Sequence, residues 1–131
     1  MIEIFSQFPE IILAYQFGSS VKQPSASHRD IDIAVLFQEG LSVERRFNLQ
    51  IELGIRLSKV FHKETDLVVL NQSNPFIAYQ VLKYGRLLYG DKTKAREFVV
   101  ETLTRYFDYL PIHQFFVERL EKRLGVSPHG R

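Results

Sequence analysis

The sequence predicts a domain of the α/β or α+β class, because strand-like apolar runs alternate with segments of helical periodicity. Residues 11–17 and 30–37 are apolar runs rich in β-branched residues, and a shorter run of the same kind opens at Asp66. With 131 residues, the chain has the usual size of one domain and is long enough to bury a sizeable core.

Composition excludes several classes of protein. The hydrophobic share of 45% and the charged share of 24% are typical of a globular domain, and the absence of cysteine excludes disulfides and thiolate metal sites. No apolar run approaches the roughly 20 residues that span a bilayer, and the N-terminus lacks a secretory pattern, so we expect a cytoplasmic protein. A net charge of +2 is too small to predict direct nucleic-acid binding.

Helices are predicted before and between the strands. A short helix over residues 2–7 precedes Pro9, and Ser42 can cap a helix that runs to about Lys63, with Glu44 in its first turn. Apolar residues cover much of the circumference of this second helix, so we expect it to be buried against the sheet. These residues are Phe47, Leu49, Ile51, Leu53, Ile55 and Leu57.

The C-terminal third is predicted to be helical. Asn74-Pro75 begins one helix, which ends before Gly85, and Asp91 can cap the next. We expect a last helix over 111–124, ended by Gly125. The aromatic residues of this third are predicted to be core, or in part a partner surface if they are exposed. They are Tyr106, Phe107, Tyr109, Phe115 and Phe116.

Three aspartates are the candidate catalytic and metal-binding residues. Asp30 and Asp32 lie two positions apart in a predicted strand, so both carboxylates point to one face while Ile31 and Ile33 point into the core. Asp66 would join them if its strand pairs beside theirs, in a parallel or an antiparallel arrangement. Carboxylates at neighbouring strand starts can hold one or two Mg²⁺ ions together with substrate phosphates.

The turn Gly18-Ser19-Ser20 is the candidate nucleotide-binding element. It follows the apolar strand 11–17, and a glycine there lets the backbone approach a ligand closely. Backbone amides and serine hydroxyls can donate hydrogen bonds to phosphate oxygens. Gly-Ser or Asp-x-Asp alone is more often an ordinary turn or a solvated strand start, so the prediction depends on their conjunction.

That conjunction resembles the nucleotidyltransferase superfamily of the DNA polymerase beta type: Gly-Ser, ten residues, Asp-x-Asp and a distant third Asp. The short length and the tail Tyr106-Phe107-Asp108-Tyr109-Leu110-Pro111 resemble the minimal nucleotidyltransferase (MNT) family, whose members are often antitoxins of HEPN toxins. The chain departs from the family pattern at Val21-Lys22-Gln23 and at Arg29, and it retains all three acids.

The resemblance implies a small mixed sheet with packed helices. It implies a catalytic core over 1–90 and C-terminal helices over 91–125 packed on that core, all in one domain. From the sequence itself we expect a flexible tail over 126–131. The resemblance also implies a prokaryotic enzyme that uses Mg²⁺ and ATP to adenylylate a tyrosine of a partner HEPN toxin. Two alternatives stay open: nucleotidyl transfer to a small molecule such as an aminoglycoside, and an antitoxin that acts by binding alone.

Overall fold

The computed structural model of the protein describes residues 2–18 and 30–125, with the backbone alone for Ile2 and Asp30. Within these ranges the chain forms four helices and four strands. They are α1 (Ile2–Ser6), β1 (Ile11–Phe17), β2 (Asp30–Phe37), α2 (Val43–Phe61), β3 (Glu64–Val69), α3 (Pro75–Tyr84), β4 (Arg86–Tyr89) and α4 (Lys92–Leu124). None of the helices in the described ranges combines the length and the hydropathy that crossing a membrane would require.

The four strands form one mixed sheet in the order β3-β2-β1-β4. Strand β1 runs antiparallel to both β2 and β4, whereas β2 and β3 are parallel. Parallel neighbours need a long crossover, and the 19-residue helix α2 provides it. The small mixed sheet predicted from the family resemblance is therefore confirmed, and the pairing that periodicity left open is parallel.

Each face of the sheet carries its own apolar core. On one face, Ile31, Ile33 and Val35 of β2 pack against α1 and α2. On the other face, Ala34 of β2 packs with residues of α3 and α4, among them Val81. Side chains alternate along a strand, so Asp32 and the residues two and four positions after it lie on the side of α3 and α4.

The helix starts follow the capping residues. Ser42 Oγ accepts a hydrogen bond from the Arg45 amide at 3.0 Å, and Asn74 Oδ1 accepts one from the Ile77 amide at 2.9 Å. Asp91 occupies the N-cap position of α4, but its side chain accepts no capping hydrogen bond. The predicted start of α4 is thus confirmed, whereas the predicted cap interaction is not formed.

Helix α2 is only partly buried, which corrects the expectation that it is buried against the sheet. Leu49, Leu53 and Leu57 are at most 1% exposed. The second row, Phe47, Ile51 and Ile55, is about half exposed. One helix presents a single face to a sheet, and in the described residues no second layer covers the other row.

The C-terminal helices predicted as two are a single helix of 33 residues, α4, with Pro111 inside it. Proline lacks the amide that would bond four residues back, so it costs stability without preventing the residues on both sides from continuing the same helix. Gly125 ends α4 with a φ of 73°, as expected. Phe107, Phe115 and Phe116 are 54–64% exposed and Tyr109 is 36% exposed, so the core prediction is wrong for these four.

Candidate active site

Two of the predicted acids meet at one end of the sheet. Strands β2 and β3 begin at this end and β1 finishes there, so Asp32 pairs in register with Asp66 on one side and with Phe17 on the other. Residues in register on parallel strands point to the same face, and neighbouring strands lie about 4.8 Å apart. The carboxylates of Asp32 and Asp66 therefore lie side by side.

The face that carries them is the one covered further along by α3 and α4. Val68 and Leu70, which follow Asp66 in steps of two, belong to the core on that side. Asp32 is half-buried and Asp66 is exposed. The pair therefore lies where the apolar cover ends and solvent begins, which is where a charged substrate could reach it.

The remaining predicted site residues are described only in part. Asp30 is the first residue of β2, and its Cα lies opposite Glu64, but its side chain is outside the described structure. Ser19 and Ser20 also lie outside the described residues. The side chains that are described form no group of three His, Cys, Asp or Glu able to hold a metal ion. What is described is the carboxylate pair Asp32 and Asp66.

Gly18 lies directly against Asp32. Its φ is 82°, in the left-handed region that glycine adopts without strain. A Cβ atom at this position would overlap the Oδ2 atom of Asp32. Any other residue would displace the carboxylate, so the structure gives a specific reason for glycine where the sequence showed only a turn.

The end of α3 is held close to the same end of the sheet. A Cβ on Gly85 would come within 2.9 Å of the Gln16 carbonyl oxygen and even closer to the Val81 carbonyl oxygen, so glycine permits this close approach. Lys83, in the last turn of α3, has its Nζ 5.1 Å from the centre of the Tyr84 ring. A hydrogen bond with Tyr84 raises the pKa of Lys83 above its ordinary value.

Lys83 is a cation that sequence reasoning did not single out. It lies on the helix that covers the carboxylate face, and its side chain is exposed. It stands two residues before Gly85, at which the helix ends. Arg86, by contrast, follows the glycine and donates from Nη2 to Gln16 Oε1 at 3.0 Å.

A four-stranded mixed sheet with paired carboxylates beside a glycine turn defines a class of nucleotidyl-transferring proteins. Residues 1–94 match the family model described as Polymerase beta, Nucleotidyltransferase. The chain belongs to this family, which confirms the resemblance read from Gly-Ser and the three acids.

Among known proteins, the chain is similar to the protein adenylyltransferase MntA of Shewanella oneidensis. The two are 32% identical over 121 residues, which cover 92% of this chain and 84% of the relative. The roles of individual residues in this chain stay predictions.

Solved structures of toxin and antitoxin pairs share the fold. One was determined with AMP-PNP, an ATP analogue; its TM-score is 0.77 at 27% identity, with 91% of this chain and 94% of the other covered. Another is the MNT antitoxin with the tri-AMPylated HEPN toxin of Shewanella oneidensis, with a TM-score of 0.71 at 27% identity and 91% of each chain covered.

Proposed function

We propose that this protein is an antitoxin that transfers AMP from ATP to a tyrosine hydroxyl of a partner HEPN toxin. The observation that carries the proposal is the register of Asp32 with Asp66 on one face of the sheet, directly beside Gly18. The similarity to a protein adenylyltransferase and to complexes with a HEPN toxin supports both the donor and the acceptor.

Mg²⁺ is the metal that suits the donor set. Carboxylate oxygens are hard ligands, and Mg²⁺ is usually bound by one or two carboxylates together with substrate phosphates. Asp32 and Asp66 would supply two carboxylates, and Asp30 would supply a third from the start of β2, the strand of Asp32. A bound divalent ion supplies positive charge that stabilises the attacking and leaving oxygens of a phosphoryl displacement.

In the transfer, the tyrosine oxygen attacks the α-phosphorus of ATP. The new bond is the ester between this oxygen and the α-phosphorus, and the bond that breaks joins the α-phosphorus to the bridging oxygen of the leaving pyrophosphate. The hydroxyl proton passes to a carboxylate. Asp66 is the candidate, because its side chain is exposed and can meet the acceptor protein. Gly18, Ser19 and Ser20 would hold the phosphates through backbone amides and hydroxyls.

The test is a transfer assay with the partner HEPN protein, Mg²⁺ and ATP labelled at the α-phosphate. We expect the label on the partner, and we expect Asp32→Asn and Asp66→Asn each to reduce the rate by more than about 100-fold. Asp108→Asn is the matched control, since Asp108 is an exposed aspartate of α4, and the next residue, Tyr109, contacts Phe76 at the end of α3 away from Gly85. It should transfer at the wild-type rate.

Two results would overturn the proposal. If the wild-type protein leaves no label on its partner yet still neutralises it, the protein acts by binding alone. If Asp32→Asn transfers as fast as Asp108→Asn, the carboxylate pair is not the catalytic centre.

A further inference from the structure

The exposed row of helix α2 borders the edge of the sheet that carries Asp66. Phe47, Ile51 and Ile55 are spaced four residues apart, so they line up along one side of the helix. Their side chains are 58%, 47% and 52% exposed. Strand β3, which lies beside this row, is an edge strand of the sheet. Contiguous exposed apolar patches are typical of interaction sites, whereas single exposed apolar residues are not.

A groove of about 660 Å³ runs between this row and β3, and we call it the α2–β3 groove. Asp66 is among the residues that line it. The carboxylate of Asp66 lies on the opposite face of the sheet from α2, with one edge strand between them. The tyrosine side chain of a segment seated in the groove therefore has one strand, β3, to pass around before it reaches the carboxylate pair.

The groove is not built to accept an added strand. Gln50 Nε2 donates to the Leu67 carbonyl at 3.2 Å, and Ser58 Oγ accepts from the Thr65 amide at 3.2 Å. Side chains of α2 thus occupy two of the outward main-chain groups of β3, which blunts the edge for strand pairing. What remains available to a ligand is the apolar row, so binding there would rely on side-chain packing.

The groove also does not suit the nucleotide. Lys59 is the one basic residue in its described lining, where Glu64 and Asp66 are acidic. A triphosphate needs several cations or backbone amides, whereas an apolar row suits a protein segment. The chemistry of the groove therefore favours the acceptor over ATP.

A second exposed apolar surface lies away from the end of the sheet that carries the acids. Phe116 and Leu120 of α4 are 64% and 55% exposed. This part of α4 follows the contacts that Phe76, at the start of α3, makes with Tyr109 and His113. The start of α3 is the end away from Gly85, and it is Gly85 that packs against Phe17 beside the acids.

From these observations we propose that the α2–β3 groove seats the acceptor protein, with the segment that flanks its reactive tyrosine packed on Phe47, Ile51 and Ile55. The proposal deepens the function proposed above and rests on it. The groove sets which protein is adenylylated, because only a partner whose tyrosine adjoins a complementary apolar patch is brought to Asp66.

The test compares two matched double variants. Phe47→Gln/Ile51→Gln alters the groove, and Phe116→Gln/Leu120→Gln makes the same kind of change at exposed positions of α4, again with an aromatic and an aliphatic residue four apart. Steady-state transfer is measured against the concentration of the partner protein at saturating ATP and Mg²⁺, and then against ATP. Circular dichroism and the thermal midpoint verify that both variants fold, and Ile55→Gln alone serves if the groove double variant does not.

We expect the groove variant to lose at least about tenfold in kcat/KM for the partner protein, with the KM for ATP unchanged. The α4 variant should stay within about twofold of the wild type. A smaller loss in the groove variant, an equal loss in both variants, or a loss that follows the break-up of a homodimer in sedimentation would overturn the inference. If the wild-type protein transfers no label at all, it is the proposed function that fails; if it transfers and the groove variant does so equally well, only the groove assignment fails.

Discussion

Helices α2 and α4 both carry rows of apolar residues, yet they are buried to very different extents. The row of α2 that faces the sheet is covered along its length, with Leu49, Leu53 and Leu57 at most 1% exposed. In α4 the buried residues are Phe98 and Thr102, both in its first half. A helix of 33 residues is about 50 Å long, whereas the eight residues of β2 span about 26 Å. The difference follows from length: α4 extends beyond the sheet on which it packs.

Aromatic contacts hold α4 where it leaves the sheet. Tyr106 stacks on Tyr79 of α3 with 4.0 Å between ring centres, and Phe76 lies 4.4 Å from the ring of His113. Beyond His113, Phe116, Leu120 and Leu124 are each more than half exposed. An apolar stripe in a sequence thus predicts a face of a helix, but it does not tell whether this chain covers that face.

The largest expected effect tests this difference in burial directly. Leu53→Ala removes a fully buried side chain and leaves a cavity, so it should lower the free energy of unfolding by about 2–5 kcal/mol. Leu120→Ala, at a 55% exposed position, should change it by less than about 0.5 kcal/mol. Urea denaturation measures both values. Equal losses would mean that the end of α4 is packed in solution.

A smaller and local effect is expected at Pro111. Proline in a helix interior costs about 3 kcal/mol relative to alanine, so Pro111→Ala should stabilise the turns around it. Because residues 112–124 pack against little else, the gain should appear as slower amide hydrogen exchange there, with a nearly unchanged midpoint of global unfolding. Asp108→Ala is the control for a change of helix propensity alone. If exchange beyond residue 111 is unaffected, α4 is already broken at the proline.

The smallest effect concerns the ion pairs of the two helices. Arg45 in the first turn of α2 contacts Glu10 at 2.7 Å, and this hydrogen bond lowers the pKa of Glu10 below its ordinary value of 4.5. A lowered carboxyl pKa adds stability above the unfolded pKa, and that stability is lost as the pH falls below 4.5 through the folded pKa.

Glu10→Gln should therefore cost less than about 1 kcal/mol at neutral pH, and the difference from the wild type should vanish in acid. Glu97→Gln is the control, because Glu97 pairs with Lys94 of α4 only at 3.8 Å between exposed side chains. Thermal unfolding followed from pH 7 to pH 3 measures both variants. A difference between Glu10→Gln and the wild type that persists at pH 3 would show that the contact contributes by packing and not by charge.

Much of the architecture could be predicted from local signals. The strand 30–37 and the starts of the helices at Ser42 and Asn74 were readable because β-branched alternation and capping residues act over a few positions. The single helix α4 could not be predicted, since Pro111 is a legitimate first residue of a helix as well as a tolerated interior one. Which row of α2 would be covered depends on where β3 and β2 lie beneath it, and no local pattern encodes that.

By itself the sequence determined the chemistry that can be present: glycine after β1, two acids two positions apart in a strand, and a third acid in the next strand. Alternation along a strand is a local property, so the shared face of positions 30 and 32 needed no tertiary information. Only the tertiary structure decided that β3 lies parallel to β2 with Asp66 opposite Asp32, and that Gly18 leaves no room for a side chain beside that carboxylate. Register and close approach depend on how distant segments pack, and that packing is a property of the whole fold.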